Sequence, residues 1–184
     1  MLSTVVELLV VIQVLAVPLI LLLFYLDGMV VGKITPPAAL YVGYVVLVSP
    51  STITLVAVGI AAVLASTLGQ LTIYRGFNEE SPEFVGIRRT VPYVDRIPRI
   101  VKRRVGDRRM EFVTRLFDRY GGIGIAMTNA IPGIRSLMAI PAGLSEYPAG
   151  RFVAFSIVGN VAYVIIVTAA AKGFVQIAGI TPGV

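Results

Sequence analysis

Arg135 stands alone as a charge inside an otherwise neutral run. Residues 129–145 read N-A-I-P-G-I-R-S-L-M-A-I-P-A-G-L-S. Arginine stays protonated at any physiological pH and can hold phosphate or carboxylate oxygens through two parallel N–H groups. The chemistry on offer is therefore anion binding. Pro132 removes a backbone donor and Gly133 permits a sharp turn just ahead of the arginine, so the segment predicts a broken helix. Asn129 adds neutral hydrogen-bonding capacity. Asp27, at the end of a long apolar run, is the second candidate. It reads either as an interfacial helix end or as an intramembrane carboxylate that could carry a proton or partner the arginine. A charge and a helix break are tolerated in so apolar a chain where protein or a wet cavity surrounds them. The expectation is that Arg135 faces a midplane cavity and meets Asp27 there when no anion is bound.

Composition narrows the alternatives. Hydrophobic residues make up 57% of the 184, and the mean hydropathy is +0.87, which predicts a membrane protein. There is no cysteine and no histidine. Disulfides, thiolate metal sites, the commonest general base and the commonest metal ligand are thereby excluded. No cofactor or metal is expected, and the chain is not expected to be an enzyme. The net charge of +6 is read as juxtamembrane charge that sets orientation, with no nucleic-acid partner.

The elements that would position these residues follow from runs without charge. Residues 8–26 form a first transmembrane helix of nearly the ~20 residues a bilayer requires. Pro18 either kinks it or divides it in two. Residues 28–49 contain Pro36 and Pro37, which cannot lie inside a regular helix. They predict two half-length arms around a proline tip, the first re-entrant hairpin, with a tilted full span as the alternative. Residues 51–74 form a second transmembrane helix carrying Gly59, Ala62, Ser66 and Gly69, small residues that let another helix approach closely.

Residues 75–120 hold 12 of the 16 basic residues and are expected to be cytoplasmic. Within them Phe112, Val113, Leu116, Phe117 and Tyr120 recur at three- and four-residue spacing among Arg108, Arg109, Arg115 and Arg119. This predicts an amphipathic helix lying on the inner membrane surface. Its basic face is either simply solvated or specific for anionic lipid. Residues 121–148 are the second re-entrant hairpin, with its tip at Pro132 and Gly133. Residues 152–173 form the last transmembrane helix.

The two halves echo one another. Ser66-Thr67-Leu68-Gly69-Gln70 parallels Ser156-Ile157-Val158-Gly159-Asn160, and Arg75-Gly76-Phe77 parallels Lys172-Gly173-Phe174. With the basic loop inside, the two hairpins open to opposite faces. The fold class expected is an all-α polytopic membrane protein with an inverted repeat of re-entrant helical hairpin plus transmembrane helix. Broken segments at equivalent places in inverted halves point to a transport site near the midplane.

Phe117-Asp118-Arg119-Tyr120-Gly121, Ile131-Pro132-Gly133-Ile134-Arg135, Pro141-Ala142-Gly143-Leu144-Ser145 and Arg151-Phe152 resemble the DedA family of membrane proteins, also called VTT-domain or SNARE-associated. Asp27 ahead of Pro36-Pro37 resembles that family's acidic residue before its first hairpin. The resemblance covers residues 27–173. It implies two opposed re-entrant hairpins and movement of lipid between leaflets, either of undecaprenyl phosphate or of phospholipid. It also implies dependence on the proton-motive force. Asp27 matches the family's first acid and Arg135 its second arginine. Ala38 and Ala39 stand where the family often has an acid, and Asn129 where it often has an arginine.

The function these readings imply is a flippase or scramblase for an anionic lipid, a polyprenyl phosphate above all, in the cell membrane. Arg135, Asn129, Gly133 and Pro132 would bind the phosphate, and Asp27 would be the charge partner. A proton-coupled ion or drug antiporter and a non-transporting assembly protein, self-associating through its Gly/Ala faces, are the alternatives. Arg135 as a structural clamp on hairpin carbonyls is a further one.

Overall fold

The computed structural model describes residues 2–29, 37–78 and 107–177; they are mostly helical, joined by short turns and one irregular stretch, with no strand among them. The helices are α1 (Leu2–Gly28), α2 (Pro37–Val48), α3 (Thr52–Phe77), α4 (Asp107–Tyr120), α5 (Gly122–Asn129), α6 (Ala139–Leu144) and α7 (Ala149–Ile177). Two of them, α3 with 26 residues and α7 with 29, are long and apolar enough to cross a membrane.

Local chemistry explains the boundaries. Helix α1 continues through Pro18 as one helix, so the division considered above does not occur. Pro37 opens α2, at a helix end where its missing N–H has no intrahelical partner to lose. Pro36 and the expected first arm, residues 30–36, lie outside the described residues, as does most of the basic segment, 79–106. Ser51 caps α3 by accepting from the Thr54 amide at 3.2 Å. That helix runs on past Arg75 to Phe77.

Residues 121–148 are not a continuous rod. Helix α5 stops at Asn129, residues 130–138 turn irregularly, and α6 resumes at Ala139. Gly133 sits there at φ +84°, a conformation in which a Cβ would be strained.

The packing alternates. Helix α1 lies along α3, and α5 lies along α7. Helix α6 packs on α3, α2 packs on α7, and α3 and α7 pack on each other. Glycines let main chains of neighbouring helices touch at two places. A Cβ on Gly69 would stand 2.1 Å from the Tyr25 carbonyl oxygen of α1, and one on Gly159 would stand 2.4 Å from the Ala126 carbonyl oxygen of α5. Backbone meets backbone at both places, as small residues permit.

Two apolar clusters result. One joins Ile20, Phe24, Tyr41, Val58 and Val164 among α1, α2, α3 and α7. The other joins Tyr74, Val113, Phe117, Ile125, Met138 and Phe152. The second cluster modifies the expectation for the amphipathic helix. Val113 and Phe117 of α4 are buried against α5 and α6, so part of its apolar face is covered by protein.

Candidate functional site

Arg135 leaves the irregular stretch after Gly133 and turns inward, where its side chain is only 3% exposed. Three helices converge on it. Asp27, in the last turn of α1, brings Oδ2 to 3.3 Å from Nε. That approach lacks the alignment of a hydrogen bond, so the contact is an ion pair held by charge rather than by a directed N–H. Nη2 donates to the Ser66 hydroxyl of α3 and to Asn160 Oδ1 of α7 at 3.3 Å. The guanidinium carbon sits 4.0 Å from the centre of the Tyr163 ring and 5.5 Å from that of Phe24, within the range of cation–π attraction.

The expected Asp27–Arg135 pair is thus present. The guanidinium does not open onto solvent. Ser66, Asn160, Tyr163 and Phe24 enclose the guanidinium because small and amide residues of α3 and α7 leave room for it between them. Nor is Arg135 a clamp on the carbonyls of its own hairpin, since its hydrogen bonds go to side chains of the two long helices.

Asp27 is fixed from a second direction. The Ser136 hydroxyl donates to its main-chain carbonyl oxygen at 2.5 Å, satisfying one acceptor at the end of α1. The residue after Arg135 thereby holds the same helix end that carries the carboxylate. An acid at a helix C-terminus opposes the helix dipole, and the facing guanidinium offsets that.

Beside the ion pair lies a neutral network. Gln70 of α3 donates to Asn129 Oδ1 at 3.1 Å and accepts from Asn129 Nδ2 at 3.3 Å. It also accepts from Asn160 Nδ2 at 3.2 Å. Asn160 further donates to the Thr67 hydroxyl at 3.0 Å. Gln70, Asn129 and Asn160 are all essentially buried. Asn129 therefore reaches the guanidinium only through Gln70 and Asn160, its amide being engaged with Gln70. Pro132 and Gly133 are exposed and shape the turn; neither lies among the groups around the guanidinium.

Ser66, Thr67, Gln70, Asn160, Tyr163 and Phe24 were not singled out from the sequence as site residues. The signal for three of them was available. Ser66, Gln70 and Asn160 are polar groups within uncharged spans, where such residues are costly and functional, and they belong to the echoed pentapeptides.

Several buried atoms have no hydrogen-bond partner: Nε and Nη1 of Arg135, Oδ2 of Asp27, the Ser156 hydroxyl and the Tyr44 hydroxyl. Unpaired buried donors are costly. At Arg135 they leave Nη1 with unused N–H groups, which an oxyanion would satisfy, while Nε faces Asp27 and would meet that oxyanion only by displacing the carboxylate. Among the described residues no group of three His, Cys, Asp or Glu is placed to hold a metal. No family model, curated protein or solved structure matches the chain.

Proposed function

We propose that the chain is an integral membrane transporter that carries an anionic lipid, a polyprenyl phosphate above all, between leaflets. The observation that carries this reading is the buried Arg135 guanidinium, whose Nη1–H groups have no hydrogen-bond partner and whose Nε faces Asp27, the one facing carboxylate among the described residues. An arriving phosphate would take the unused donors and compete with Asp27, which could then accept a proton. The resemblance to the DedA family points to the same class of cargo.

Placement in a membrane is supported by the outward faces of the long helices. Ile53, Val56, Ile60, Leu64 and Leu68 on α3 and Val158, Val161, Ile165 and Ile166 on α7 are all exposed. In water such rows would be an aggregation hazard; in hydrocarbon they are the expected surface. The inverted-repeat reading is supported by the packing, in which α1 and α5 lie on α3 and α7 while α2 and α6 lie on α7 and α3. Residues 28–49 and 121–148 would then dip in from opposite faces, with the basic 75–120 segment in the cytoplasm. Because Arg135 is enclosed, transport requires the hairpin to swing away from α3 or α7 so that each leaflet gains access in turn.

The test is a leaflet-exchange assay in proteoliposomes, comparing labelled polyprenyl phosphate with ordinary phospholipid. Arg135→Ala is expected to abolish exchange, and Arg135→Lys to impair it strongly because an ammonium lacks the paired donors. Normal exchange in a folded Arg135→Ala protein refutes the proposal. Ion flux driven by a pH gradient without lipid movement would favour an antiporter instead.

A further inference from the structure

Helix α4 has an apolar face wider than the protein covers. Val113 and Phe117 are buried in the second cluster. Phe112, Leu116 and Tyr120, at four-residue steps, form a second row beside them. Phe112 and Tyr120 remain 45% and 42% exposed, and Leu116 is half-buried. Arginines border this row. Arg108 precedes Phe112 by four residues, Arg119 follows it by seven, and Arg109 precedes Leu116 by seven; all three are exposed. The Arg119 guanidinium lies 5.3 Å from the centre of the Tyr120 ring.

The acids stand elsewhere on the helix. Glu111 pairs with Arg115 at 3.3 Å, both about two-thirds exposed, and Asp118 follows Glu111 by seven residues on the same side. The helix therefore has three faces: one against the protein, one acidic, and between them an aromatic row set among exposed arginines.

We propose that this aromatic–arginine row is seated in the headgroup layer of an anionic leaflet. Phosphates would be bound by Arg108, Arg109 and Arg119, and the Phe112 and Tyr120 rings would rest at glycerol depth. Charge selects this occupant over a second copy of the chain, since a facing α4 would bring the same arginines against these. The inference rests on the membrane placement of α3 and α7 given above and not on lipid transport.

The absence of cysteine makes single-site labelling direct. A bimane-type fluorophore at Phe112→Cys is read by quenching from shallow doxyl-lipids, in phosphatidylcholine vesicles with and without 30% phosphatidylglycerol. A label at Leu64→Cys, at the middle of the exposed row of α3, is read with deep doxyl-lipids and serves as the membrane control. Strong quenching at 112 that needs phosphatidylglycerol and falls in high salt is expected. The triple variant Arg108→Gln/Arg109→Gln/Arg119→Gln is expected to shift the docked-to-free ratio by on the order of a hundredfold. A label at 112 that stays unquenched while the one at 64 is quenched overturns the proposal and leaves the transport reading intact. Shielding at 112 that grows with protein density rather than with anionic lipid also overturns it, in favour of self-association. An unquenched label at 64 refutes the membrane placement itself.

Discussion

Replacing Asp27 by Asn removes the charge facing Arg135 and little else. Deleting one member of a buried ion pair costs about 3–5 kcal/mol, because the other charge is left uncompensated. Here the guanidinium keeps Ser66 and Asn160 as acceptors and the Tyr163 ring at 4.0 Å. The Asp27 side chain is itself 20% exposed. The expected loss is therefore at the lower end, about 3 kcal/mol. Arg135→Met should cost less, about 1–2 kcal/mol, since a lone carboxylate can take a proton whereas a guanidinium cannot lose one. A methionine also fills most of the space. The double variant should be more stable than Asp27→Asn alone, with a coupling of about 2 kcal/mol. Loss of helicity during graded SDS titration, followed by circular dichroism, measures all three. If Asp27→Asn proves no worse than Arg135→Met, or if the two costs simply add, the ion pair is not what holds this region together.

Two further substitutions probe the packing and the network. Gly69→Ala drives a methyl into the Tyr25 carbonyl and should destabilise by about 1–3 kcal/mol. Gly173→Ala, with open space around the new methyl, should raise stability by about 0.5 kcal/mol in the same titration; equal effects would contradict the described contact. Gln70→Leu strands the Asn129 amide, while Asn160 keeps Thr67 and Arg135, and is expected to cost about 2–4 kcal/mol. Gln70→Glu should not restore it, because the carboxylate has no N–H to offer the Asn129 carbonyl. Full stability of Gln70→Leu would show that the Asn129 amide finds another partner.

Much of this site could be read from residue types. Arg135 stood out as a lone charge in a neutral run, and Pro132-Gly133 announced the break that turns it inward. Its pairing with Asp27 could be anticipated because each would otherwise be an isolated charge in apolar surroundings. Its remaining neighbours were harder to see. Phe24 and Tyr163 sit in runs where any aromatic is equally compatible with lipid, so nothing local marks them as lining a cation. Asn129 looked like a direct ligand, yet its orientation is decided by Gln70, 59 residues away in the chain. The enclosure of the guanidinium is likewise tertiary, produced by α3 and α7 closing on it. The apolar spacing of α4 showed a two-sided helix, but spacing alone cannot say how its apolar side is divided between protein and other surroundings.

The two close glycine approaches have a mechanical consequence. Where main chains of α1 and α3 touch at Gly69, and those of α5 and α7 at Gly159, there is no side chain to flex and no slack to take up. Each couple behaves as a single stiff strut. Give must be sought along the seam between the struts, where amides, a hydroxyl and one guanidinium meet and where bonds can be exchanged one for another without opening a void. In the proposed transporter, any swing of the hairpin would run along that seam, with the polar groups as its latch.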